Sequence, residues 1–420
     1  MSDLTATWLL LAIPGFCFGY PFVMAWYWMV GGILYHFARE RGLPPLDRPP
    51  ELKHWPPISL LVPCYNEADT AEETFAAAAA IDYPDFEIVA INDGSRDDTA
   101  RILEEIAART PRMRVIHMAK NQGKATALNA GALLANHEIL VCIDGDALID
   151  PHCLRWIANA FQRTDLGALT GNPRIRNRST LLGRLQVGEF SATIGLIKRA
   201  QATYGRLFTI SGVMCAFRKC ALEDAGWWSP RTLTDDIDVT WRVQLAGWRI
   251  TYEPNAVCWI LMPETLKGLW RQRLRWAEGG VQMMTDFFLP MLRGRNPALV
   301  PVYLNFVVSV IWSYVMLGGL GLGLIHAAKI DVLPGWPAFG IVPEWWGAIL
   351  AFTYLLQALV SHLLERRYEP DMLKSLYWII WYPMAFWFIS TVTTVVALPR
   401  ALLRPRKQHT TWVSPDRGLR

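Results

Sequence analysis

Ile139-Leu140-Val141-Cys142-Ile143 runs directly into Asp144-Gly145-Asp146. A short apolar run of this kind reads as a strand buried inside a parallel sheet, and the acidic triplet then falls at its carboxyl end. Two carboxylates one residue apart at such a point repel each other unless a cation lies between them. Hard oxygen ligands select Mg²⁺ or Mn²⁺, which would bridge a diphosphate and neutralise charge on it. An isolated D-x-D is more often a solvated turn; the buried strand in front of this one sets it apart.

Similar units lie upstream. Residues 58–62, 87–91 and 114–118 are predicted strands, and residues 71–80 and 97–108, with acidic residues early in each, are predicted helices. The alternation predicts one α/β domain over residues 39–266. The first strand ends in Pro63-Cys64-Tyr65-Asn66-Glu67 and the second in Asn92-Asp93-Gly94-Ser95. Ligands of open α/β sheets lie beyond such carboxyl ends, which makes Tyr65, Glu67 and Asp93 candidate contacts. Asp93 can accept from a nucleobase or ribose, and Gly94 permits close backbone approach, although D-G-S alone is a common turn. Asn121-Gln122-Gly123-Lys124 precedes a predicted helix over 125–134, so a lysine and a helix N-terminus meet near the same edge, and both attract phosphate. The spacing is not that of a Walker A loop.

Two further clusters follow. Thr234-Asp235-Asp236, with Asp238, offers a carboxylate able to take a proton from an attacking hydroxyl, while Thr234 or Asp235 caps a helix running through Arg242. Gln272-Arg273-Leu274-Arg275-Trp276 lies in a basic amphipathic stretch, 267–276, of the kind that rests at a membrane interface. Gln272, Arg275 and Trp276 share one helical face, where guanidinium and indole suit a diphosphate and a sugar ring.

Composition sets the frame. The 420 residues are 52% hydrophobic and 19% charged, too apolar for an ordinary soluble enzyme and too charged to be all membrane. A formal charge of +4 gives no reason to expect a nucleic-acid partner. Seven cysteines without a C-x-x-C pair read as packing residues in a reducing compartment. Residues 4–35 lack any charged side chain and predict one membrane span within an N-terminal segment, 1–38, with Pro14 and Gly15 marking a break or an interfacial first turn. No basic stretch precedes this run and no small-residue cleavage site closes it, unlike a signal peptide. Arg39, Arg41, Arg48 and Lys53 follow it, which predicts a cytoplasmic domain. An interfacial segment, 267–298, leads to a membrane region, 299–398, with apolar blocks at 299–325, 345–364 and 376–398, flanked by Trp345, Trp346, Tyr377 and Trp378. Three crossings would put the tail, 399–420, outside, yet it carries Arg400, Arg404, Arg406 and Lys407. A cytoplasmic tail is expected, with one block failing to cross.

These motifs, in this order and between membrane segments, closely resemble the processive membrane glycosyltransferases of family 2, which include cellulose, chitin and hyaluronan synthases. Within them the likeness is to synthases of poly-β-1,6-N-acetylglucosamine. It is carried by Thr170-Gly171-Asn172-Pro173-Arg174-Ile175-Arg176, by Cys258-Trp259-Ile260-Leu261-Met262-Pro263-Glu264-Thr265 and by the tail Trp412-Val413-Ser414-Pro415-Asp416-Arg417-Gly418. The resemblance implies a GT-A type nucleotide-diphospho-sugar transferase domain, with a Rossmann-like mixed sheet, inserted between transmembrane helices of a bacterial inner-membrane protein. It further implies that Asp93 holds uridine, that Asp144 and Asp146 bind UDP and Mg²⁺ or Mn²⁺, and that Asp236 is the general base. Gln272, Arg275 and Trp276 would then hold the acceptor terminus and donor diphosphate. The family's T-E-D reads T-D-D here, which leaves the role of Asp235 in doubt. UDP-N-acetylglucosamine, a growing polysaccharide, the lipid bilayer, a small membrane subunit and cyclic di-GMP are the implied partners. Rival readings are a family 2 synthase of another polymer, a transferase acting on a lipid carrier, and a membrane scaffold that has kept the domain only for binding.

Overall fold

The computed structural model describes residues 3–329, 345–381, 387–403 and 411. Eight strands form one mixed sheet: β1 (Ile58–Cys64), β2 (Phe86–Asn92), β3 (Met113–His117), β4 (Ile139–Ile143), β5 (Leu148–Ile149), β6 (Leu166–Ile175), β7 (Met214–Arg218) and β8 (Arg249–Ile260). Their order is β3-β2-β1-β4-β7-β6-β8-β5. The four strands on the β3 side run parallel, with Leu61 opposite both Val89 and Cys142. Chain direction changes side between β1 and β4, the point at which the loops leave opposite ways and open a crevice. The strand pairs beyond β4 are mixed: β7 is antiparallel to β4 and β6, and β8 is parallel to β6.

One direction change decides where the site forms. Because β7 runs against β4, its first residue, Met214, pairs with Ile143, and the loop entering β7 therefore lands beside Asp144. Thr170 of β6 lies opposite Cys215 in the same layer.

Helices cover both faces of the sheet: α2 (Ala71–Ala79), α3 (Thr99–Arg109), α4 (Lys124–Leu134), α5 (Cys153–Ala160), α6 (Leu181–Phe190), α7 (Lys198–Tyr204), α8 (Lys219–Ala225) and α9 (Asp235–Leu245). Leu60, Val62, Phe75, Leu103, Val141 and Leu154 fill one face, and Leu61, Val89, Leu128, Leu140, Phe217 and Val243 the other. The strands are apolar on both sides for that reason. None of the seven cysteines is in a disulfide and six are buried.

Around this domain lie α1 (Asp3–Tyr35), α10 (Leu266–Leu292), α11 (Val300–Ala327), α12 (Trp345–Glu365), α13 (Leu376–Ile379) and α14 (Phe388–Leu403). Among the described residues three helices are long and apolar enough to cross a membrane: 12–40, 297–327 and 345–365. The expected break at Pro14 and Gly15 is absent, since α1 continues through Pro14 and Pro21. In hydrocarbon an opened backbone has no water to bond, so a proline is accommodated without ending the helix. The block expected over 376–398 is not one helix. Among its described residues it holds the short α13, a turn at 380–381 and the 16 residues of α14, below the roughly 20 a straight crossing needs. The Trp412–Gly418 stretch and the basic residues beyond Arg400 fall outside the described residues.

The carboxyl ends of α1 and α12 meet at the α/β domain through a buried ionic cluster. Arg199 of α7 pairs with Glu40 at 2.9 Å and with Glu365. Arg174 of β6 pairs with Glu365 and, at 2.8 Å, with Glu369, which also takes Arg178. Tyr368 donates to Glu40 at 2.9 Å, and Tyr35 donates to the Tyr252 carbonyl at 2.6 Å. Buried charges are tolerated only when paired and hydrogen-bonded in this manner. The ends of α1 and α12 thus both lie against the α/β domain, and Arg400 of α14 pairs with Glu278 of α10 at 2.8 Å.

Candidate active site

The ends of β1 and β2 are laced together. Asn66, in the left-handed region at φ 54, accepts from the Arg96 amide at 2.9 Å, and its own amide donates to Ser95 Oγ at 3.0 Å. Tyr65 is half-buried beside it. Asp93 is fully buried, and its two oxygens accept the Gln122 and Gly123 amides at 2.9 and 2.8 Å. Burial pushes its carboxyl up from the ordinary range, and these two bonds oppose the shift. Asp93 thereby fixes the loop that delivers Lys124.

Glu67 is 1% exposed and accepts from Thr70 at 3.0 Å. It lies against the Asp144-Gly145-Asp146 turn, where a Cβ on Gly145 would meet Glu67 Cγ at 3.0 Å and the Pro63 carbonyl at 3.1 Å. Thr74 holds the Gly145 carbonyl at 3.0 Å. A side chain at Gly145 would press Glu67 and the Pro63 carbonyl back by a few tenths of an ångström, and Glu67 shapes that turn from behind.

Lys124 opens α4, after Gly123 at φ 88. Its Nζ pairs with Asp144 and donates to the Gly212 carbonyl at 2.9 Å. Burial works against its charge, but Asp144 and Asp235 outweigh it and hold the pKa above the usual lysine value. Gly212 also donates its amide to Asp236 Oδ2 at 3.3 Å. Lys124, Asp144 and Asp236 thus converge on the β7 entry loop. Asp146, 7% exposed, lies at the same turn as Asp144.

Asp235 and Asp236 are the first two residues of α9; Thr234 precedes them, and its side chain makes no capping bond, contrary to expectation. Thr234 instead packs at Gly279 of α10, where no Cβ would fit. Burial drives the Asp235 carboxyl up to about 6, with Lys124 and Arg275 opposing and Asp236 and Asp144 reinforcing. Asp238 is taken by Arg242 at 2.9 Å.

On α10, Arg275 is exposed, reaches the Leu233 carbonyl at 3.4 Å and acts on the charge of Asp235. Gln272 is half-buried, 3.9 Å from the Met262 sulfur. The ring of Trp276 carries the Arg273 guanidinium at 4.4 Å, and Arg273 pairs with buried Glu189 at 2.6 Å. Arg273, Gly212 and Lys198 (buried, donating to Thr170 Oγ1 at 3.1 Å and the Thr209 carbonyl at 2.9 Å) were not among the sequence candidates. Ser211-Gly212 before an apolar run was the one local signal for the loop.

The donor set fits a hard divalent cation. Among the described residues no three His, Cys, Asp or Glu side chains form a metal cluster, so Asp144 and Asp146 would supply the protein ligands and a diphosphate and water the remainder. Mg²⁺ is commonly held in that way, by one or two carboxylates plus phosphate oxygens.

Comparison with known proteins agrees with this architecture. The family described as Glycosyltransferase like family 2 matches residues 56–279. A poly-beta-1,6-N-acetyl-D-glucosamine synthase of Staphylococcus epidermidis is 37% identical over 404 residues, covering 95% of this chain and 97% of the relative. One from Staphylococcus aureus is 39% identical over 403 residues, with the same coverage of 95% and 97%. The solved mannosyltransferase PcManGT from Pyrobaculum calidifontis, in complex with GDP-Man and Mn²⁺, superposes with a TM-score of 0.64 at 20% identity, over 94% of this chain and 98% of that one, and so shares the fold. A GT-A type mixed sheet among apolar helices, a family match over more than half the chain and near full-length relatives identify it: the chain belongs to glycosyltransferase family 2 and is a glycosyltransferase.

Proposed function

We propose that the chain polymerises N-acetylglucosamine from UDP-N-acetylglucosamine into poly-β-1,6-N-acetylglucosamine and passes the product across the bacterial inner membrane. The observation that carries the chemistry is the backbone of Gly212, whose carbonyl accepts from Lys124 and whose amide donates to Asp236. The near full-length likeness to named synthases supports the polymer.

Asp236 takes the proton of the 6-hydroxyl on the chain's terminal sugar. That oxygen forms a bond to the donor's anomeric carbon as the bond to UDP breaks, giving inversion, and the departing electron pair stays on UDP. Asp93 and Tyr65 border the uridine site, and Lys124 faces the diphosphate. Asp144 and Asp146 would hold Mg²⁺ or Mn²⁺, which would supply neutralising charge to the leaving diphosphate. Asp235, Gln272, Arg275 and Trp276 border the acceptor and diphosphate. The domain faces the cytoplasm, because Arg39, Arg41, Arg48 and Lys53 flank α1 there and translocating them is costly. After the domain only α11 and α12 cross, with α14 not spanning, and these two crossings leave the tail on the same side.

Incorporation of labelled sugar from UDP-N-acetylglucosamine into membranes with Mg²⁺ or Mn²⁺ tests this, with wild type beside Asp236→Asn. Parallel arms add cyclic di-GMP and a co-expressed small membrane subunit. Polymer from wild type alone, cleaved by a β-1,6-hexosaminidase, is the expected result. Polymer from another donor only would overturn the substrate, and wild-type rates from Asp236→Asn would overturn the base.

A further inference from the structure

Lys198 is a buried lysine that none of the chemistry above employs. It is 6% exposed, and its ammonium donates to Thr170 Oγ1 at 3.1 Å and to the Thr209 carbonyl at 2.9 Å. Thr170 Oγ1 also accepts the Ser211 amide at 2.8 Å, so one hydroxyl joins the lysine to the loop that enters β7. The same loop is tied to α9 twice. Ile210 donates to Thr240 Oγ1 at 2.9 Å, and Gly212 donates to Asp236 Oδ2 at 3.3 Å. Lys198 thus holds the strand-side root of a loop whose tip holds the carboxylate.

Long, charged lysine side chains are rarely buried without a specific partner. No carboxylate ion-pairs with this one among the described residues; the charged or titratable groups that face it are Asp236 from α9 and Cys215 from β7. Burial, opposed by Asp236 and Cys215, lowers its pKa to about 7. Asp236 in turn has Asp235 as its neighbour, with Lys124 and Arg275 acting on that residue from α4 and α10. The next residue on the same helix, Arg199, points into the ionic cluster with Glu40 and Glu365 and so anchors α7 to the membrane helices.

We propose that Lys198 is a positioning residue for Asp236: anchored on Thr170 and Thr209, it fixes the Ser211-Gly212 loop against the carboxylate and keeps a positive charge behind it. The proposal rests on the reading of Asp236 as the base. A cation nearby favours the charged form of a carboxylate, which is the form that accepts the acceptor's proton.

The test is the pH dependence of polymerisation by K198M, K198R and D236N in membranes, with melting of the detergent-solubilised full-length chains alongside. K198M is expected to lose about tenfold to a hundredfold in kcat, the scale of a slightly misplaced catalytic group, with KM for the donor within about twofold. Its acidic limb should move to higher pH, and K198R should restore that limb and part of kcat. Relieved of a buried charge, K198M should melt no lower than wild type at neutral pH. A wild-type profile in K198M overturns the proposal; so does a loss of kcat with an unmoved limb and a lowered melting temperature, the mark of a merely structural lysine. Should K198M fail to accumulate, T170V decides, since it removes the hydroxyl shared by Lys198 and Ser211: the same shift supports the role and unchanged kinetics overturn it. Polymerisation by D236N would remove the base assignment and this inference with it, whereas an inactive D236N beside an unaffected K198M would remove this inference alone.

Discussion

Lys124 and Asp236 meet on the backbone of one residue: the Gly212 carbonyl accepts from Lys124 at 2.9 Å while the Gly212 amide donates to Asp236 at 3.3 Å. Lys124 is also the partner of Asp144. Lys124, proposed to face the leaving diphosphate, and Asp236, proposed to take the proton of the attacking hydroxyl, are therefore both held on Gly212, through the two peptide groups that flank its Cα. In a displacement, where nucleophile and leaving group must stay in line, this shared anchor ties the placement of one side chain to that of the other.

Replacing Lys124 with methionine should therefore damage both halves of the reaction. We expect KM for the donor to rise and kcat to fall, each by about tenfold or more, in initial-rate measurements. A change in KM alone would show that the Gly212 bond carries no weight in the chemical step.

Asp235 predicts a pH effect on stability. Burial holds its folded pKa up at about 6, above the roughly 3.9 of an exposed aspartate. A raised folded pKa means that the folded chain holds the proton more tightly than the unfolded one. The stability this contributes is present at low pH and is lost as pH rises towards 6. Donor-free Asp235→Asn should consequently melt above wild type at pH 7.5, and the gap should close by about pH 4. A lower melting temperature at pH 7.5 would mean that attraction to Lys124 and Arg275 dominates instead.

Arg273→Ala leaves Glu189 alone in a buried site and should cost about 3–5 kcal/mol in denaturant titrations. The double replacement Glu189→Leu with Arg273→Met should recover most of that stability. Activity should stay low in it, because Trp276 still lacks the guanidinium that covers its ring at 4.4 Å. Recovery of both together would make the pair purely structural.

Gly94 takes φ +64, and a Cβ there would come within 2.5 Å of the Lys120 carbonyl carbon and 2.7 Å of the Asn121 nitrogen. Gly94→Ala should push away the loop whose amides bind Asp93, raising KM for the donor about tenfold. Gly205→Ala is the control. It also has positive φ, +86, but open space around it, so it should lower stability by about 1 kcal/mol and leave KM unchanged.

The first half of the sheet was legible because each strand of residues 58–143 is a local apolar run with polar residues at its end, and parallel order follows from the helices between. Ile139–Ile143 was read to the residue. The second half was not, since β8 lies between β6 and β5, and partners so far apart in sequence leave no local pattern. The same distance hid Lys198, whose Thr170 partner lies 28 residues earlier, and Glu365, which reads as the polar flank of an apolar helix yet meets Arg174 191 residues away. Asp236 and Asp144 were visible as motifs, but Gly212, which links Asp236 to Lys124 and through it to Asp144, comes from the β7 entry loop, which the antiparallel pairing with β4 brings near.

The buried glutamates at the ends of α1 and α12 make the membrane helices part of the catalytic body and not an interchangeable anchor. Cut free of them, the soluble half would present Arg174 and Arg199, 4% and 0% exposed in the intact chain, without counter-charges. Grafting this domain onto another synthase's helices would need Glu40, Glu365 and Glu369 transplanted together, so portability belongs to the whole chain and not to its catalytic portion.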